Sequence, residues 1–138
     1  MESPHDILAL EDRPPDSDRI RLIAYWITTI LGPASFVIGG VLFLTHGEQQ
    51  AAIFAHLGYP SYMLYIIGLG KFLGAIVCVL PGLPRLKEWA YAGFFFDLGG
   101  AAASHAFVGD GVGQIMQPLV FLALVMASWA LRPASRRL

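Results

Sequence analysis

Two ionisable side chains stand inside apolar stretches of this chain. Lys71 interrupts the run from Tyr62 to Leu80, within "GLGKFLGA" at 68–75, and Asp97 interrupts the stretch from Glu88 to Phe107. A lone charge at the centre of a bilayer costs about 2.5–3.5 kcal/mol on the insertion scale, so each needs a partner. Lys71 lies 13 residues before Pro84 and Asp97 lies 13 after it. Two antiparallel helices joined at Pro84 therefore carry both charges at one depth, and the spacing predicts a Lys71–Asp97 ion pair facing the interior. Such a pair either fixes helix register and rotation or supplies polar groups to a site. A lysine in apolar surroundings can also serve as a base or form a Schiff base.

Helical spacing from Asp97 leads to Ser104 and His105 on the same face, and from Lys71 to Gly68, Gly74 and Cys78. Gly70 and Gly74 form a GxxxG, and "GGAAAS" at 99–104 is equally small, which permits close helix approach or leaves a cavity. Thr29 and Gln117 are further candidates, either lining a site or satisfying carbonyls freed by Pro33 and Pro118. A second constellation comprises His46, Glu48, His56, His105 and Asp110. Imidazoles with carboxylates can relay protons or bind a metal, and His46, His56, His105 and Asp110 form the metal alternative. Their spacing matches no compact ligand signature, so no metal is assigned.

The elements that must position these groups follow from composition. Over 138 residues, 56% are hydrophobic and 14% charged, with mean hydropathy +0.60, which points to a membrane protein. The predicted fold is all-α: an antiparallel bundle of four transmembrane helices over about 21–44, 62–80, 88–107 and 114–131, in a membrane domain of residues 20–133. Residues 1–19 hold six acids, two arginines and a Pro-Pro pair and read as a flexible cytoplasmic tail with no signal-peptide pattern; 134–138 read as a basic C-terminal tail. "EQQAAIFAHLG" at 48–58 reads either as a loop or as a short amphipathic surface helix capped by Gly58. Arg13, Arg19, Arg21, Arg85, Lys87, Arg132, Arg136 and Arg137 fall on the side of both termini and none of the nine basic residues falls opposite, which places both termini in the cytoplasm. Tyr25, Trp26, Trp89, Tyr91 and Trp129 are expected as interfacial anchors on that side, with Tyr59 and Tyr62 on the other. A single cysteine, Cys78, excludes dithiol chemistry within one chain, and the charge pattern suggests no nucleic-acid partner.

The segment from "LGYPSYMLYIIGLGKFLGA" through "PRLKEWAYAGFFFDLGG" and "SHAFVGD", with "SWALRP" near the end, resembles the DoxX-like family of small four-helix membrane proteins over roughly residues 22–133. The resemblance implies a bacterial cytoplasmic-membrane protein associated with oxidoreductase systems such as a quinone-linked thiosulfate oxidase. It transfers no catalytic residue set, and the lone Cys78 departs from quinone-coupled thiol oxidoreductases of similar size.

The first functional expectation is an accessory subunit of a membrane oxidoreductase, holding a lipophilic molecule such as a quinone near Lys71, Asp97 and His105. No cofactor is identified from the residues alone. Expected partners are the lipid bilayer, oxidoreductase subunits and further copies of the chain. The alternatives are a membrane-embedded enzyme using the Lys71/Asp97 pair, a proton-coupled small-molecule transporter, and an assembly or chaperone protein. The residues leave open whether the chain is catalytic.

Overall fold

The computed structural model describes Ser3, Pro4 and residues 15–138. The expected tail over 1–14 lies outside the described residues apart from those two. Residues 15–19, expected in that tail, instead form the first turn of α1 (Pro15–Leu31), whose acidic start, Asp16 and Asp18, suits a helix N-terminus. A 3-10 turn over Pro33–Ser35 joins α1 to α2 (Phe36–Leu44). Then follow α3 (Glu48–Leu57), α4 (Met63–Val79), α5 (Pro84–Phe107) and α6 (Val112–Leu131). The described residues are helical with no strand.

The first apolar rod is broken because Pro33 lacks the N–H a continuous helix needs. Ser35 satisfies the break, its hydroxyl donating to the Gly32 carbonyl at 2.6 Å and the Leu31 carbonyl at 3.2 Å. The break changes partners: α1 packs on α6, whereas α2 packs on α4. The ring of neighbours is completed by α4 against α5 and α5 against α6. α2 and α4 meet at Gly40 and Gly68, where a Cβ on either would come within 2.8 Å of the other helix. Gly70 has nothing within 4 Å of such a Cβ, so the close approach falls on Gly40 and Gly68 while Gly70 borders a cavity. α3 lies across the end away from the start of α1 and the end of α6, and stops at Gly58, whose φ of +82° favours a residue without a Cβ.

The distribution of polarity is inverted relative to a water-soluble domain. Ile38, Trp89, Phe96 and Val112 are each 70% exposed or more, while Thr29, Lys71, Lys87, Ser128 and Arg132 are buried. Among the described residues two rods, Asp16–Leu44 and Val112–Leu131, are long and apolar enough to cross a bilayer, and Met63–Val79 is a shorter apolar helix. Phe36, Phe94 and Phe121 form the aromatic centre of the core, with Ala75, Cys78, Tyr91 and Val125 around them.

Two expected interfacial anchors turn inward. Tyr25 is fully buried and Tyr91 is 2% exposed. The Tyr91 hydroxyl shares a hydrogen bond with Ser128 at 2.8 Å, and Ser128 is bonded to Thr29 at 2.6 Å. This chain of hydroxyls ties α5, α6 and α1 together toward the end of α6. At the same end the last turn of α4 is capped by two cations. Lys87 donates to the carbonyls of Val77 at 2.8 Å, Gly82 at 2.7 Å and Leu80, and Arg136 donates to those of Cys78, Val79 and Leu80 at 3.1–3.3 Å.

Candidate functional site

The site is assembled on the facing sides of α4 and α5. The short turn at Pro84 sets the two helices antiparallel, and Lys71 Nζ reaches Asp97 Oδ2 at 2.5 Å, as the equal spacing predicts. Lys71 is 8% exposed, and its ammonium lies 4.4 Å from the Phe36 ring centre and 5.4 Å from that of Phe43. Its charge is therefore met by one carboxylate oxygen and two aromatic faces. The other oxygen of Asp97, Oδ1, has no donor among the described residues.

Two cavities meet at this pair. One, of about 250 Å³, is bordered by Gly70, Gly74, Trp89, Gly93, Lys71 and Asp97. The other, of about 420 Å³, extends toward α3 between Phe43, Phe54, Met63, Phe96, Gly100 and His105, again with Lys71 and Asp97 in its wall. The small residues of α4 and α5 thus leave space beside the ion pair, and their missing side chains are the reason the cavities exist. The arrangement combines an apolar enclosure with one cation and one free carboxylate oxygen, which suits a lipophilic molecule carrying a hydrogen-bonding group.

His105, eight residues beyond Asp97 and so about 12 Å along α5, closes the far wall of the larger cavity. Its Nδ1 donates to Asp110 Oδ2 at 2.6 Å, and His56 Nε2 donates to Asp110 Oδ1 at 2.7 Å. One carboxylate therefore joins α3 to the end of α5. These donors hold the Asp110 carboxyl below the usual carboxylate range, the bond from His105 contributing most and that from His56 next. With its proton on Nδ1, a neutral His105 presents Nε2 as an acceptor. Ser104 is bonded through its hydroxyl to Tyr59 at 2.6 Å, which closes the loop after α3 onto α5.

The other sequence candidates fall elsewhere. Thr29 is committed to the Ser128 contact at the opposite end and does not join Lys71 and Asp97. It is not the group that relieves the break at Pro33, a role Ser35 fills. Gln117 borders a third cavity with Gln49, His56, His105, Asp110 and Gln114. Of the residues in the metal alternative, His56, His105 and Asp110 come together, with one nitrogen of each imidazole turned to the carboxylate. His46 is apart from them, its ring 4.4 Å from that of Tyr65, and among the described residues no three or more His, Cys, Asp or Glu side chains are arranged so that they could hold a metal ion.

Sequence reasoning missed the aromatic faces around Lys71, because Phe36 and Phe43 come from α2 and reach α4 only through the Gly40–Gly68 contact. It also read Lys87, Arg132 and Arg136 only as topology signals. Lys87 and Arg136 cap α4, while Arg132 pairs with Glu88 at 2.5 Å. The absence of any basic residue in the last turn of α4 was the available signal for an external cap.

Comparison with known proteins places the chain. The model of the DoxX-like family matches residues 27–128, which contains Lys71, Asp97, His105 and Asp110. A segment of 68 residues, 47% of this chain, is 38% identical to Protein DETOXIFICATION 16 of Arabidopsis thaliana, and the match spans 14% of that protein's length. No solved structure matches. Nearly three quarters of the sequence falls within the family match, and with the inverted polarity described above this identifies the chain as a membrane protein belonging to the DoxX-like family.

Proposed function

We propose that this protein is a four-span membrane subunit, with both termini in the cytoplasm of a bacterial cell, that holds a lipophilic small molecule against the Lys71–Asp97 pair as an accessory component of an oxidoreductase system. The observation that carries the reading is the pair's position in the shared wall of two cavities, with Asp97 Oδ1 unpaired. A pair serving only to set helix register gains from full enclosure and satisfaction, since exposed capacity for hydrogen bonding inside a membrane is costly. A quinone fits the chemistry: an apolar ring and tail for the enclosure, and a carbonyl for the Lys71 ammonium. The accessory role is supported by the lone buried cysteine, Cys78, which leaves dithiol chemistry to a partner.

Trp89 lines the smaller cavity, so a bound quinone lies within reach to quench its fluorescence. Titration of the purified protein with decylubiquinone is expected to quench the wild type saturably and to weaken about tenfold in Lys71→Met, with Asp97→Asn affected in the same direction. Unchanged saturable quenching in both variants overturns the role of the pair; absence of any saturable quenching overturns the quinone.

A second reading, proton-coupled transport, is favoured by one feature: the His56–Asp110–His105 array touches the cavity that leads to Asp97. Proton-driven flux in proteoliposomes is expected to be lost in Asp97→Asn on that reading, and unaltered flux contradicts it.

A further inference from the structure

The cavity bordered by Gln49, His56, Asp110, Gln114 and Gln117, about 410 Å³, shares Ile53 and His105 with the apolar cavity over Lys71. α3 divides the two by its own faces. Ile53, Phe54 and Leu57 border the apolar side, and Gln49, Ala52 and His56 border the polar one. Among the described residues the carboxamides of Gln49, Gln114 and Gln117 make no hydrogen bond with the protein. All three glutamines are exposed, so their donors and acceptors are open to an incoming group.

We propose that this polar cavity is a headgroup subsite, and that it receives the uncharged hydroxyl- or carbonyl-bearing end of one amphipathic molecule whose apolar body lies over Lys71. The inference rests on the lipophilic-ligand reading above and adds the chemistry of the ligand's other end. The lining selects for a neutral head. No lysine or arginine borders this cavity, so a phosphate or carboxylate head meets no fixed cation. A cationic head finds Asp110 already accepting at both oxygens, from His56 and from His105. Each carboxamide, by contrast, both donates and accepts, which is what a hydroxyl or carbonyl requires. Gln49 comes from α3 and Gln114 and Gln117 from α6, so the head lies between an element that covers the pocket and one that belongs to the bundle.

The test uses the full chain in phosphatidylcholine nanodiscs and three probes carrying the same diazirine-bearing alkyl chain: a monoacylglycerol, a fatty acid and an alkyltrimethylammonium. Photolabelling is read by intact mass and by peptide mapping. The monoacylglycerol is expected to label α3 and α6 peptides about tenfold more than either charged probe, a ratio corresponding to one or two hydrogen bonds. The preference is expected to collapse in Gln114→Leu and in Gln49→Leu, which alter opposite walls, so that failure of one variant to fold leaves the other to decide. Equal labelling by the three heads, or a preference that survives both substitutions, overturns the subsite. Quenching of Trp89 by decylubiquinone reports the Lys71 end separately: its loss with the head preference intact refutes the quinone reading, and its persistence without the preference refutes only the subsite.

Discussion

Lys71 and Asp97 are mutually dependent. Removing one charge leaves the other in an apolar interior without its counter-ion, so Lys71→Met or Asp97→Asn alone is expected to destabilise the protein by about 3–5 kcal/mol. The double variant, which leaves no unpaired charge, is expected to recover part of that loss; thermal melting of the four forms measures the coupling. Asp110 behaves differently because it is held at the protein's surface by neutral or charged imidazoles alike. Its carboxyl titrates below the usual range, so the folded state binds this proton less readily than the unfolded one. The stability it contributes is present above the ordinary carboxylate range and is lost as pH falls through the depressed value. Hydrogen exchange of the α3 amides is expected to stay slow down to about pH 4 and to accelerate below it, and Asp110→Asn is expected to flatten that profile. At this scale the sequence was informative where charge and depth decided the outcome, as for Lys71 and Asp97. It was silent on rotation: Tyr25 and Tyr91 suit an interfacial belt by type and position, yet both are buried, Tyr91 through the hydroxyl chain to Ser128 and Thr29 and Tyr25 with no partner for its hydroxyl among the described residues.

Each helix is placed by a small number of contacts whose partners lie far away in sequence. α2 approaches α4 through Gly40 and Gly68, so Gly68→Leu is expected to lower stability by about 1–3 kcal/mol or more, while Gly70→Ala, with open space around it, is expected to change little. Melting temperatures of the two variants check the contrast. The carbonyls ending α4 depend on Lys87 and Arg136, and Lys87→Met leaves the carbonyls of Val77 and Gly82 short of a donor. A loss of about 1–3 kcal/mol is expected, readable as faster hydrogen exchange confined to the end of α4. The helices themselves were legible from apolar length and turn residues: the ends at Leu44, Phe107 and Leu131 coincide with those of the apolar runs, whereas the first run is split at Pro33 and α5 already begins at Pro84. Of the GxxxG at 70–74, Gly74 is closely packed, a Cβ there coming within 3.0 Å of the Phe94 ring, whereas Gly70 faces open space and the backbone approach between helices falls at Gly40 and Gly68, because the facing helix determines where a permitted approach occurs.

The described residues place much aliphatic and aromatic surface outside, with the Lys71–Asp97 pair inside and most other charges toward the two ends, the arrangement expected of a chain whose solvent is lipid. The break at Pro33 sends α1 to α6 and α2 to α4. The smaller cavity beside Lys71 and Asp97 lies between α4 and α5, and the larger one extends from them to Phe43 of α2 and to α3. Arg21 donating to the Ala130 carbonyl at 3.1 Å brings the start of α1 beside the end of α6, which gathers the basic residues at one pole. On the proposed topology, a cysteine at Ser135 is expected to react with membrane-impermeant maleimide only after the cells are opened, and one at Gln50 in intact spheroplasts. The most direct measurement of the central claim is photolabelling of the protein in nanodiscs with an azido-alkylquinone, followed by peptide mapping. Saturable adducts concentrated on the α4 and α5 segments around Lys71 and Asp97, and abolished by excess decylubiquinone, are the predicted result. Adducts spread over the lipid-facing surface, unaffected by competitor, contradict it.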